Sequence, residues 1–315
     1  MEKMRIQNNT AAFNVWSNYS TNLTKMQASM SKLSTGEIAN TDDPAGVGIS
    51  EKMRAQIKSV GMARQNTDNA ISMLQTADSW LQKINDQVSR MKELSVEAES
   101  GTVSDSDKAN IQIEFSAMQD EITRITSKYT AAAKFNGIYL FRGGTGSAVF
   151  DGDDVATGEI TVQVGSDINQ KISLDLKDLQ VTNTASIGSV HTYSYDSSTN
   201  AVAGSSHDSV TWASIIDTNK MSLGDANVTG KLDVAIDYIA NARASMAAQQ
   251  NRIEQTNSGL LAYEAHLTAA ESQIRDIDMA QETTNFSKYQ VLTNAANAML
   301  AQANQLPQNV LQLLG

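Results

Sequence analysis

Few residues in this chain could do chemistry, and their spacing is wrong for it. Its three histidines, His191, His207 and His266, are widely separated and form no H-x-x-x-H or H-E-x-x-H pattern of the kind that holds zinc. Cysteine is absent, which removes thiolate ligands, cysteine nucleophiles and any disulfide framework. The run R-G-G-T-G-S-A at 142–148 lacks the G-x-x-x-x-G-K-[ST] spacing and the lysine of a phosphate loop. Asp151, Asp153 and Asp154 begin like a calcium loop, but the required glycine and closing glutamate are missing, so a surface turn is the better reading. N-V-T at 227–229 is an N-x-[ST] triplet of the sort that an Asn-, Ser- and Thr-rich chain contains by chance. These residues predict neither an enzyme nor a cofactor.

Composition points to long helices instead. Aromatics make up 5% of 315 residues and prolines number two, a mixture suited to helices with thin seams rather than to one thick core. The formal net charge of −11, with no local basic patch, argues against nucleic acid or an anionic membrane as partner. No segment approaches the ~18 consecutive apolar residues of a membrane span. Met1–Gln7 shows no signal-peptide core, so these rules alone predict a cytosolic protein.

Both ends carry apolar residues at alternating steps of three and four, the repeat that keeps one seam on a helix. Near the start these are Trp16, Tyr19, Leu23, Met26, Met30 and Leu33. Near the end they are Tyr289, Leu292, Ala296 and Met299, continuing through Ala303, Leu306, Val310 and Leu313. Each seam is too narrow for a helix stable by itself in water, so the ends are expected to pair with each other and with neighbouring copies. Two ordinary amphipathic helices covering a core are the alternative. Between Gly36 and Asp42 the first pattern stops. Asp42, Asp43 and Pro44 then signal a new start: Asp43 as N-cap, Pro44 at the first helical position, and acidic charge at the positive helix end.

Helical spacing continues from Ile57 to Leu94, and about 40 residues at 1.5 Å each predict a rod of roughly 60 Å. A turn at 101–107 precedes a second helix marked by Ile111 to Tyr129, and Leu232 to Ile277 mark a third that returns beside them. The middle differs. Ile160, Val162 and Val164, then Ile172, Leu174 and Leu176, alternate as strands do. Around 179–227 the chain is rich in Ser, Thr, Asn and Gly, and Val190, Tyr193, Tyr195, Val202, Val210, Trp212 and Ile215 could supply a modest core for a small β-rich domain or a long ordered loop.

Several motifs together resemble one family. K-L-S-T-G at 32–36, D-D-P-A-G-V-G-I-S at 42–50, N-T-D-N-A-I-S-M-L-Q-T-A at 66–77 and F-N-G-I-Y-L at 135–140 are similar to bacterial flagellins. So are E-S-Q-I-R-D-I-D-M-A at 271–280 and A-M-L-A-Q-A-N-Q-L-P-Q-N-V-L-Q-L-L at 298–314. The start, M-E-K-M-R-I-Q-N-N, and Glu97 depart from the usual pattern without touching the seams.

The resemblance implies a mainly α fold: a long helical rod with a terminal coiled coil, a β-hairpin region and a small β-rich outer domain. It implies an inner coiled coil at 1–40 and 280–315, a connector at 41–56, a rod at 57–178 and 228–279, and a variable exposed domain at 179–227. The function implied is self-assembly into the flagellar filament for swimming, after unfolded export through the flagellar channel to the cell exterior. Partners implied are the chain itself, filament cap and hook-junction proteins, and an export chaperone on the C-terminal helices, with no nucleic acid and no membrane insertion. Arg90, Leu94 and Glu114 match positions through which a Toll-like receptor senses many flagellins, and their filament role would be contacts between rods. A hook-filament junction protein is the alternative with the same terminal plan.

Overall fold

The computed structural model describes residues 9–127, 131–141, 149–151, 155–157, 160–177, 179, 186–196, 201–217, 221–225 and 227–314, with backbone alone at 11, 149–151, 155–157, 191–196, 201–207 and 306–314. The glycine run at 142–148, Asp153 and Asp154, and the side chains of Tyr193, Tyr195, Val202, Leu306, Val310 and Leu313 lie outside what is described. The fold is mainly α. In chain order it runs α1 (Thr10–Thr35), α2 (Pro44–Glu99), α3 (Asp105–Thr126), β1 (Lys134–Phe135), β2 (Ile138–Tyr139), β3 (Val149–Asp151), β4 (Val155–Thr157), β5 (Ile160–Gln163) and β6 (Lys171–Leu174), then β7 (Ser186–Asp196), β8 (Ala201–Thr211), α4 (Trp212–Ile216), α5 (Val228–Arg275) and α6 (Met279–Leu314). None of the described helices is long and apolar enough to cross a membrane.

The chain divides into two compact units, 1–58 with 264–315, and 59–263. In the first, α1 and α6 pack antiparallel. Asn9 Nδ2 donates to the Ala303 carbonyl at 2.8 Å and Ser29 Oγ donates to Glu282 Oε1 at 2.5 Å, while beyond the helix ends the backbones of Glu37 and Asp276 pair as an isolated antiparallel bridge. Each helix end is closed by its own sequence. Asn9 caps α1, its side chain accepting from Ala12 N–H at 3.0 Å. Gly36 ends α1 at φ 74°, a left-handed conformation that glycine adopts without cost, and its N–H reaches the Lys32 carbonyl at 2.8 Å. Asp43 accepts from Gly46 N–H at 2.9 Å to cap α2, and Pro44 occupies the first turn, where no N–H is needed. Gly46 lies so close to the Asp43 carboxylate that a Cβ would collide with it.

The second unit is built on the middle of α2. Val60, Ala63, Thr67, Ala70, Leu74, Ala77, Leu81, Ile84, Val88, Met91, Ser95 and Ala98 are all buried, and their steps alternate strictly between three and four. Helix α5 answers with Val228, Leu232, Ala235, Ile239, Ala242 and Met246, and α3 with Phe115, Gln119 and Ile122. Such a repeat keeps one seam in register over many turns. Antiparallel order of α2 and α5 follows from their cross-links: Lys92 with Asp233, Arg243 Nε with Asp78 at 2.8 Å, and Asn257 Nδ2 with Asp68 at 2.8 Å.

Among the described residues, four antiparallel hairpins complete this unit. Asn136 (φ 48°) and Gly137 (φ 82°) form the two-residue loop of β1–β2, with Phe135 paired to Ile138. Both loop residues have positive φ, the type I′ turn whose twist suits a tight hairpin. β5–β6 turns Val162, Ile172 and Leu174 inward. The long β7–β8 hairpin leads into α4, and Val210, Trp212 and Ile215 join the same hydrophobic core as α2, α3 and α5 instead of forming one of their own. The Trp212 ring lies 6.2 Å from that of Tyr238 on α5.

Candidate assembly interface

The terminal helices repay a column-by-column reading. On α1 the residues facing α6 are Ala12, Val15, Tyr19, Asn22, Met26, Ser29 and Leu33, half-buried or buried and again at alternating steps of four and three. On α6 the matching set is Glu282, Phe286, Tyr289, Thr293, Ala296, Leu300 and Ala303. These are the inner positions of a two-stranded coiled coil.

The seams expected from sequence share one column with these and differ in the other. Tyr19, Met26 and Leu33 of α1, and Tyr289, Ala296 and Ala303 of α6, lie on the α1–α6 seam. Trp16 and Met30, with half-buried Leu23 between them at seven-residue steps, form a flanking column one position after the inner one occupied by Val15, Asn22 and Ser29. Likewise Leu292 and Met299 precede the inner Thr293 and Leu300 by one. Trp16 is 55% exposed and Met299 59%, and Met30 and Leu292 are exposed as well. The placement of Trp16, Met30, Leu292 and Met299 in the intramolecular seam is therefore corrected. Ser29 and Thr293 are buried in those places, and both hydroxyls are satisfied, by Glu282 and by the Tyr289 carbonyl at 2.7 Å. Each terminal helix thus carries, beside the column it turns to its own chain, an apolar column left largely uncovered: Trp16, Leu23 and Met30 on α1, Leu292 and Met299 on α6. Phe13, 66% exposed with its ring 6.1 Å from that of Trp16, and Val291 enlarge the uncovered surface.

At the other end of this unit a charged cluster ties four segments together. Arg275, near the end of α5, donates to Glu37 Oε2 at 2.8 Å, to Glu51 Oε1 at 2.6 Å and to Ser50 Oγ at 3.1 Å. Arg54 on α2 donates to Glu37 Oε1 at 2.6 Å and pairs with Glu271 at 3.0 Å. Backbone bonds frame the cluster: Ile38 N–H to the Arg275 carbonyl at 2.8 Å and Ile277 N–H to the Gly36 carbonyl at 3.1 Å. The Arg275 guanidinium, and then Arg54, hold the Glu37 carboxyl below its ordinary range, while Glu37 and Glu51 raise Arg275. Nearby, Lys32 bonds Asp42, which raises the lysine. The E-S-Q-I-R-D motif contains two of these residues, but no local periodicity links Glu37 to an arginine 238 positions away.

In the second unit, Arg90 Nε and Nη2 both donate to Glu114 Oε1, at 3.0 and 2.8 Å, and Nη1 to Glu93 at 2.9 Å. That patch is exposed. Leu94 is not: at 1% exposure it packs in the core, so its expected place on a recognition surface is corrected. Its neighbour Ser95 also turns inward, bonding Thr229 at 2.6 Å. Among the described residues no group of three His, Asp or Glu is arranged to hold a metal.

Comparison with known proteins fits this arrangement. The model of the bacterial flagellin N-terminal helical region matches residues 6–145, and that of the C-terminal helical region matches 229–314. Flagellin of Bacillus subtilis (strain 168) is 38% identical over 317 residues, covering 99% of this chain and 100% of its own. This chain belongs to the bacterial flagellin family. The flagellar filament 33 kDa core protein of Treponema phagedenis is 36% identical, with 93% of each chain covered. A crystal structure of Bacillus cereus flagellin aligns over 62% of this chain and 88% of its own at 23% identity, with a TM-score of 0.42. The two family matches leave out 146–228, which holds β3 to β8 and α4.

Proposed function

We propose that this chain is a structural subunit of the bacterial flagellar filament, polymerising through the uncovered apolar columns of α1 and α6. The observation that carries this reading is the two-faced character of both terminal helices. A helix with an apolar column left open beside the seam it forms with its own chain has room for a second partner, and the single chain supplies only the first. Contact of one copy's uncovered face with a different face of the next is heterologous, and heterologous contacts that do not close a ring generate helical filaments. The family relationship supports the same reading, since relatives of full length are flagellins and filament core proteins.

In this proposal the filament lies outside the cell, and the chain travels unfolded through the flagellar channel, unimpeded by disulfides because it has no cysteine. A chaperone in the cell covers the C-terminal helix before export, and cap and hook-junction proteins meet the growing polymer. Arg90 and Glu114 offer an exposed charged pair to a Toll-like receptor, with Leu94 contributing only by holding α2 in place.

The test is seeded polymerisation of purified full-length monomer, followed by negative-stain electron microscopy. Long filaments of uniform diameter are expected, with the terminal helices protected from protease only after growth. Seeds that are capped without lengthening would overturn the proposal in favour of a junction protein.

A further inference from the structure

Among the methionines whose side chains are described, Met26, Met53 and Met118 are half-buried, and the others lie at two extremes. Met73, Met91, Met221 and Met246 lie in the core of the second unit at 0–4% exposure, whereas Met30 is 53% exposed and Met299 59%, each in an uncovered column of a terminal helix. Met62 and Met279 are comparably open, at 58% and 50%, but lie outside those two columns. With no cysteine in the chain, thioethers are its only sulfur groups.

We propose that Met30 and Met299 are oxidant-modifiable positions through which a peroxide-class oxidant controls polymerisation. This rests on the proposal that the uncovered columns are the assembly surface. The thioether sulfur attacks one peroxide oxygen and forms an S–O bond; the O–O bond breaks, and the departing hydroxide takes the proton from the transferred oxygen to leave as water. Sulfur loses two electrons and the peroxide gains them. The product is a polar sulfoxide on a surface that must be desolvated in the polymer, and a reductase that restores the thioether reverses it. Polymerisation should suffer more than folding because both side chains are exposed in the monomer. Burial of one such unpartnered dipole predicts a rise in critical concentration of roughly tenfold or more.

Full-length monomer is treated with dilute hydrogen peroxide, quenched, mapped by peptide mass spectrometry and seeded, beside a Met30→Leu/Met299→Leu double variant. Sulfoxide is expected at Met30, Met299, Met62 and Met279, with the four core methionines spared. Wild-type polymerisation should fall and return after treatment with methionine sulfoxide reductase. The double variant should polymerise equally before and after peroxide, although Met62 and Met279 are still oxidised. Oxidised wild type that polymerises normally, or an oxidised double variant that loses as much as wild type, overturns the proposal. If the double variant does not polymerise at all, recovery of the oxidised wild type with the reductase, traced to Met30 and Met299 rather than to Met62 or Met279, decides. Peroxide applied to finished filaments separates the two readings: Met30 and Met299 should then be protected, and oxidation as fast as in monomer would overturn the assembly surface itself.

Discussion

Trp16→Ala separates the two faces of α1. Trp16 is 55% exposed in the single chain. Taking roughly 250 Å2 for a tryptophan side chain, about 140 Å2 remains to be buried by a neighbour. At about 25 cal/mol per Å2 that is ~3.5 kcal/mol, and the alanine left behind retains part of it, so the net loss on assembly is about 2 kcal/mol. A loss of that size raises the critical concentration for seeded growth roughly 30-fold. The monomer loses the ring contact with Phe13 and the roughly 110 Å2 that the chain already covers, so by the same coefficient it too is destabilised, by up to about 2–3 kcal/mol. The assay pairs sedimentation of seeded polymer with thermal unfolding of the monomer. Tyr19→Ala, in the column shared by both faces, should weaken both. Wild-type critical concentration for Trp16→Ala would refute the assignment of faces.

Three further outcomes follow from the rest of the structure. Glu37 has a lowered folded pKa, so it contributes stability that is complete above its unfolded value of about 4.3 and is lost as pH falls below it; hydrogen exchange of α1 and α6 in Glu37→Gln should lack the acid-dependent loosening seen in wild type. Lys32 has a raised pKa, so its contribution is complete below about 10.4 and disappears as pH rises beyond, a step that Lys32→Met should abolish in alkaline unfolding curves. Leu94→Ala should cost ~2–5 kcal/mol in denaturant unfolding of the second unit because it opens a cavity in a packed core, whereas Arg90→Ala should leave that midpoint nearly unchanged.

Much of this was legible because repeats of three and four residues are a one-dimensional signal. The core of α2, the start at Asp43–Pro44 and the stop at Gly36 can all be read from neighbours along the chain. Which of two adjoining columns faces inward cannot. Trp16, Leu23 and Met30 form as regular an apolar series as any, while the inner column contains Asn22 and Ser29, so hydrophobicity alone selects the column that stays open in the single chain. For Leu94 the helical spacing that ends there already points inward, and only the family resemblance points to a recognition surface. The Glu37–Arg275 cluster joins residues whose meeting depends on the whole path of α2 and α5, for which no local pattern speaks. Trp212 and Ile215 joined the helical core rather than a separate one because α4 follows directly on β8 and packs on α3, with Gln119 Nε2 donating to the Ile215 carbonyl at 2.8 Å.

The most direct measurement is a helical reconstruction, by electron cryomicroscopy, of filaments grown from this chain. Trp16, Met30, Leu292 and Met299 should be buried against neighbouring copies, with Val15, Ser29, Thr293 and Leu300 still facing each other within one chain. Filaments in which those four residues remain open to solvent would contradict the two-faced account.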